Sequence, residues 1–182
     1  LIHDGIIKDN GKVDSTGGRR ASVYGLAAEA GFFIGVDIKR DYINIGLLDF
    51  KKNLVTLKEH IPYKLENTPA SFQALLKCIK QFITEIPVRK NKILGIGINL
   101  SGRVNHANGY SYSYFHFQEE PLTSIIESEL NIRTFLENDS RAMAYGEFCC
   151  GSVQNEKNVL FVNMDYGIGL GVLIDGKVYY GK

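Results

Sequence analysis

From Gly31 onward the chain reads as short apolar runs set between polar turns. Residues 32–38, 42–48 and 54–61 are β-rich, separated by Lys39-Arg40-Asp41 and by residues 49–53, which predicts a three-strand antiparallel meander. Thr68-Pro69 then opens a helix. The threonine is placed to cap free N–H groups, and the proline sits at the first helical position, where a missing N–H costs nothing. Phe72, Leu75, Leu76, Ile79, Phe82 and Ile83 follow the i, i+3, i+4, i+7 spacing of one apolar face. Pro87 ends the run, and Cys78 at the edge of that face is expected to pack.

The second half alternates strands and helices. Residues 93–99 predict a buried strand, and a polar, tyrosine-rich stretch covers 101–119. Pro121 starts a helix with Leu122, Ile125, Ile126 and Leu130 on one side, and the strand 132–136 runs directly into a further helix at Asn138-Asp139. Residues 159–164 and 170–174 predict strands joined by Asp165-Tyr166-Gly167-Ile168-Gly169, and Asp175-Gly176 turns into Val178-Tyr179-Tyr180. A meander feeding parallel strands through crossover helices is a mixed-sheet α/β domain. Its order resembles the ribonuclease-H-like, actin-like ATPase-type lobe.

Residues 1–28 have a different texture. Leu1 to Gly5 resembles a helix end with glycine just past the last turn. Ile6-Ile7 starts a strand, Asn10-Gly11 is a hairpin-type turn pair, and 21–26 return as a strand after the basic tip Gly17-Gly18-Arg19-Arg20. An ordinary surface hairpin and the wing of a winged-helix DNA-binding domain both fit this pattern. The chain opens at Leu1 without a methionine and stops at Lys182 just after a strand-like run, so both ends are expected to be cut from something longer.

Composition narrows the class. Lys+Arg number 21 and Asp+Glu 20 among 182 residues, so the chain as a whole lacks the strong positive charge of an electrostatic nucleic-acid binder. Apolar residues make up 45% and charged residues 23%, a globular balance that excludes disorder. The apolar run at 93–100 is far short of the roughly 20 residues that span a bilayer. Three cysteines (Cys78 and the adjacent Cys149 and Cys150) with no Cys-x-x-Cys pair imply a reduced, cytoplasmic protein without a disulfide framework. His3, His60, His106 and His116 are scattered, so no metal site is expected within the chain.

Three places could carry chemistry. Asn138-Asp139 stands where a strand ends and a helix begins. Those residue types cap helices, yet this is also where open α/β sheets place ligands, and a carboxylate there could bind a sugar hydroxyl or act as a general base. Gly167-Ile168-Gly169-Leu170-Gly171 is a tight glycine hairpin able to bring N–H groups to a phosphate, or simply a turn between core strands. Asp37, at the end of the first strand of the meander, could hold a metal–nucleotide complex, although Lys39 and Asp41 follow where a phosphate hairpin would want glycine and a hydroxyl.

Together these pieces resemble one family, the ROK proteins (repressors, open reading frames and kinases). The carriers are Glu137-Asn138-Asp139 with Ala142, Ala144, Gly146 and Glu147; Gly95-Ile96-Gly97-Ile98 with Gly102 and Val104; Gly167, Gly169 and Gly171 with Ile174-Asp175-Gly176-Lys177, Tyr179 and Gly181; and Gly17-Gly18-Arg19-Arg20 before the domain. The resemblance implies that residues 29–182 form the first actin-like lobe of a sugar-binding domain, and that residues 1–28 are the remnant of a winged-helix wing and linker. It implies sugar binding by Gly102, Asn138 and Asp139, with Asp139 in the base position of the family's kinases. It implies DNA contact through Arg19 and Arg20. Lys39-Arg40-Asp41, Asp165-Tyr166 and Asn99-Leu100-Ser101 depart from the kinase pattern, so Asp37, Gly167, Gly169 and Gly171 are expected to be vestigial phosphate hairpins and no catalysis is expected.

The expected function is a transcriptional repressor of carbohydrate-metabolism genes that senses a sugar or sugar phosphate. The alternative is an ATP-dependent sugar kinase, and a third reading is an interaction domain that has lost its ligand. The expected partners are the effector, a DNA operator reached through the intact parent, and further copies in a homodimer or higher homo-oligomer, with no membrane. No cofactor is expected in this chain, while the resemblance places a zinc-binding His/Cys cluster beyond Lys182. Tyr110, Tyr112, Tyr114, Phe115 and Phe117 fall where a sugar loop would lie. They suit a sugar face, a buried hairpin edge or a dimer contact.

Overall fold

The computed structural model describes residues 1–13, 20–117 and 119–181. Its centre is a five-stranded mixed sheet made of β3 (Phe32–Ile38), β4 (Tyr42–Asp49), β5 (Leu54–Pro62), β6 (Ile93–Leu100) and β9 (Thr134–Asn138), in the spatial order β5-β4-β3-β6-β9. β3, β4 and β5 form the expected antiparallel meander, while β6 and β9 run parallel to β3. Helix α1 (Pro69–Glu85) makes the crossover into β6. Thr68 Oγ1 accepts from Ser71 N at 3.2 Å and Pro69 occupies the first turn, as the sequence predicts. The crossover into β9 contains a two-residue ribbon, β7 (Val104–Asn105) with β8 (Tyr110–Ser111), and helix α2 (Leu122–Leu130). Asn131 ends α2 in the left-handed conformation.

The core lies on one face of this sheet. Ile34, Val36, Ile38, Ile96 and Ile98 pack with Leu75, Leu76, Ile79 and Phe82 of α1 and Leu122, Ile126 and Leu130 of α2, all buried. Each such side chain contributes about 1.5–3 kcal/mol on leaving water, so the strands and their C-terminal ends are held in one rigid frame. The tyrosine-rich stretch contributes Phe115, which is buried against Phe72 with ring centroids 5.4 Å apart.

Two features differ from the sequence reading. The last strands, β10 (Val159–Met164), β11 (Ile168–Ile174) and β12 (Lys177–Val178), form a separate antiparallel sheet instead of joining the first. Helix α3 (Asp139–Cys150) packs against β10 and β11. Asn10-Gly11 is no hairpin turn. It lies inside β1 (Ile7–Lys12), which pairs with β2 (Ser22–Leu26), and the register slips between Asp9 and Lys12. Asp9 Oδ1 accepts from Gly11 N at 2.8 Å and holds Gly11 at φ +96°, so the dipeptide makes a bulge. Before β1, Gly5 N bonds the Ile2 carbonyl and Ile6 N the Leu1 carbonyl, with Gly5 at φ +70°. That pair of bonds is the Schellman pattern of a helix end. Among the described residues no helix is long and apolar enough to cross a membrane.

Candidate ligand-binding cleft

Because β3, β6 and β9 run parallel, their C-terminal ends fall on one edge of the sheet. The hairpin between β10 and β11 faces that edge across α3. The result is a cleft of about 560 Å³ lined by residues 38–40, 101–104, 138–141 and 165–170, with Asn163. Its size suits a small ligand, and its place beyond the carboxyl ends of the strands is where open α/β sheets bind one.

Asn138 and Asp139 divide the work at the start of α3. Asn138 is the cap. Its Oδ1 accepts from Arg141 N at 3.1 Å, and its Nδ2 donates to the Gly102 carbonyl at 3.1 Å and to Asp139 Oδ1 at 2.9 Å. Its amide therefore ties the 101–104 loop to the helix. Gly102 needs its glycine: φ is +86°, and a Cβ would strike Ser113. Asp139 Oδ1 also accepts from Ser140 N at 2.7 Å and Ser140 Oγ at 3.3 Å. Oδ2 takes part in none of these bonds and is not buried. It is a carboxylate oxygen without a protein hydrogen bond among the described residues, on a residue that lines the cleft.

Beneath them, Glu137 Oε1 accepts from Asn138 N at 2.7 Å and from Arg141 Nε at 2.8 Å. The Arg141 guanidinium lies 5.1 Å from the Tyr180 ring, which stacks on His106 at 3.7 Å between centroids. Burial pushes the Tyr180 phenol above its ordinary pKa, and the Glu137 carboxylate pushes it further. Arg141 and Arg103 line the cleft, and the sequence reading singled out neither. Arg141 had a signal, its i, i+4 spacing from Glu137. Arg103, 5.1 Å from the Tyr112 ring, had none. None of Tyr110, Tyr112, Tyr114, Phe115 or Phe117 lines the cleft.

The two hairpins meet across the cleft. Tyr166 Oη donates to Asp41 Oδ2 at 3.0 Å, and the Arg40 guanidinium stands 4.7 Å from the Tyr166 ring centroid. The bond to Asp41, with that residue's negative charge, raises the Tyr166 phenol pKa. Asp37 does not line the cleft. Its Oδ2 accepts from Asn44 Nδ2 at 3.3 Å, and its Oδ1, buried without a hydrogen bond, faces the Lys39 ammonium at 3.4 Å. Lys39 in turn reaches Met143 Sδ on α3 at 3.7 Å.

Gly167 and Gly169 line the cleft, whereas Gly171 is buried beneath α3. A Cβ on Gly169 would collide with Ser140 Oγ, and one on Gly171 with Ala144 Cβ and the Ser140 carbonyl. These glycines let β11 approach the helix closely. We expect Gly171→Ala to cost about 1–3 kcal/mol by overpacking, read as a lower denaturation midpoint at unchanged m-value. An unshifted midpoint would show that the helix yields freely. Arg20 is exposed just before β2, and Arg19 lies outside the described residues.

Comparison with known proteins identifies the family and the fold. The ROK family model matches residues 33–182. The xylose repressor of Bacillus subtilis (strain 168) is 29% identical over the whole chain, which spans 47% of that relative; the chain is thus about half as long as the curated relatives it matches. Among solved structures, a ROK family transcriptional regulator, a homologue of the E. coli MLC protein, is 21% identical with a TM-score of 0.78. The match covers 100% of this chain and 46% of that one. The ROK hexokinase from Thermus thermophilus is 28% identical with a TM-score of 0.65, over 83% of this chain and 48% of the hexokinase. The fold is the actin-like, ribonuclease-H-like α/β fold of these proteins, with its mixed sheet.

Proposed function

The chain belongs to the ROK family, and from that premise we propose that it is the sugar-sensing part of a transcriptional repressor and not of a sugar kinase. One observation carries the choice. The hairpins that would grip a nucleotide's phosphates are joined to each other by Arg40, Asp41 and Tyr166, while Asp139 lines the same cleft with Oδ2 unbonded to protein. That arrangement favours binding of a neutral polyol over phosphoryl transfer. The full-chain likeness to the xylose repressor supports the same reading.

In this proposal a sugar hydroxyl donates to Asp139 Oδ2, and Asn138 fixes the Gly102 loop beside it. The effector bridges β9 and α3 on one side and the β10–β11 hairpin on the other, so it biases the angle between the two sheets. The N-terminal ribbon is closed by Ala27 N bonding the Ile6 carbonyl at 2.9 Å, and the segment after it is tied to the first sheet by Phe50 N bonding the Ala28 carbonyl at 2.9 Å. A change in that angle would therefore reach a DNA-binding segment carried by the ribbon. The parent would act in the cytoplasm as a homo-oligomer.

The test uses the full-length parent and DNA from upstream of its own gene. DNA binding released by one member of a panel of pentoses, hexoses, N-acetylhexosamines and their phosphates is expected. A parent that binds no DNA would overturn the reading. Arg19→Ala with Arg20→Ala should weaken binding and flatten its salt dependence by about 0.9 in log–log slope for each phosphate no longer neutralised. An unchanged slope would remove this tip from the DNA interface.

A further inference from the structure

At the end of the five-stranded sheet opposite the cleft, five cations occupy one rim. Asp49, Phe32 and Ile93 stand side by side on β4, β3 and β6. Lys51 and Lys52 lie in the turn after Asp49, and Arg89, Lys90 and Lys92 in the segment leading into Ile93; all five are exposed. With neighbouring strands about 4.8 Å apart, the two groups are separated by roughly 10 Å of backbone. Among the described residues no carboxylate lies within ion-pair distance of any of the five. The acids near this end are fewer: the Glu29 carboxylate lies in the segment between the groups, and the others are held in hydrogen bonds or ion pairs. Asp49 accepts from Lys51 N, Asn53 N and Asn53 Nδ2, Glu85 pairs with Lys58, and Glu129 with Lys80.

The segment that enters β3 passes between the two groups. The Ala28 carbonyl accepts from Phe50 N, and the Glu29 carbonyl lies 3.5 Å from Lys92 Nζ. The β1–β2 ribbon hangs from this segment and carries Lys8 and Lys12 beside a single acid, Asp9. In a chain of net charge +1, five cations against the two acids Glu29 and Asp49 leave this end locally positive, beside the ribbon that the repressor reading assigns to DNA.

We propose that this rim is a second DNA contact, in which Lys51, Lys52, Lys90 and Lys92 hold backbone phosphates flanking the stretch engaged by the N-terminal segment. The inference rests on the repressor reading and adds that the sugar-binding body itself grips DNA. Lysine is a flexible point charge without the planar fork that reads a base edge, so the contact is to phosphate and indifferent to sequence.

The experiment replaces all four (Lys51→Gln, Lys52→Gln, Lys90→Gln, Lys92→Gln) in the full-length protein. Binding to a fluorescent mixed-sequence duplex and to the upstream DNA is titrated across a range of salt. The affinity should fall by a similar factor for both DNAs, and the log–log salt slope should flatten by roughly 2–4. The matching Lys→Arg quadruple variant should keep the wild-type slope, and the melting temperature should be unchanged. A wild-type slope in the glutamine variant would overturn the rim contact and leave the repressor reading standing. A wild-type protein that binds neither DNA would overturn both.

Discussion

Supplied with ATP, magnesium and a panel of sugars, the full-length parent releases no ADP above its sugar-free background. Phosphoryl transfer depends on positioning the γ-phosphate and stabilising its charge, and the loss of one well-placed donor alone costs on the order of 10²–10³ in rate. Here both hairpins are altered. At the first, the Lys39 ammonium faces Asp37 at 3.4 Å, where a metal–nucleotide complex would need that carboxylate. At the second, Tyr166 is bonded to Asp41. A phosphate entering between them would displace that bond and then meet the carboxylates of Asp41 and Asp165. Asp139 still lines the cleft with a carboxylate suited to a base, so on the proposed reading it is the grip on the phosphoryl donor that fails. A coupled ADP-release assay decides the matter. Sugar-dependent turnover of about 1 s⁻¹ or faster, within the ordinary enzyme range, would overturn the repressor reading.

The parts of this fold legible in the sequence are those set by local rules. Apolar runs between polar turns marked β3, β4 and β5, and Thr68-Pro69 with an i, i+3, i+4 stripe marked α1. The strand-to-helix junction at Asn138-Asp139 followed from the change in period. What escaped depends on contacts distant in the chain. Nothing local shows that β10 and β11 leave the first sheet, because their partner is α3 and the glycines that admit it read equally well as a phosphate turn. The Tyr166–Asp41 bond spans 125 positions. Asn10-Gly11 misled because the dipeptide serves a bulge as well as a hairpin turn, and the Asp9 side chain selects the bulge. The aromatic stretch suited a sugar face, a buried hairpin edge or a dimer contact alike; Phe115 turns into the core at φ +58°, against Phe72. At the cleft itself the sequence marked both Asn138 and Asp139 without separating them, since either residue type caps a helix.

That separation makes Asp139→Asn informative. Asn138 already supplies the cap, and the amide oxygen of an introduced asparagine can take the place of Oδ1 toward Ser140 N. The change removes a negative charge from the first turn of α3, worth about 0.3–1 kcal/mol against the helix dipole, so the melting temperature should move little. The same change places an NH₂ at the position of Oδ2, the oxygen that the proposal assigns to the sugar. A donor replaces a charged acceptor, and a sugar hydroxyl that had donated to it loses its partner. Hydrogen bonds to charged groups contribute roughly 1.5–3 kcal/mol, so the effector should bind about one to two decades more weakly. A calorimetric titration of wild type and variant with the releasing sugar, beside a thermal melt of each, separates the two roles. Weakened binding with a retained melt identifies Asp139 as a sugar ligand. A large drop in melting temperature with undiminished affinity would mean that its carboxylate serves the helix alone and that the sugar lies elsewhere in the cleft.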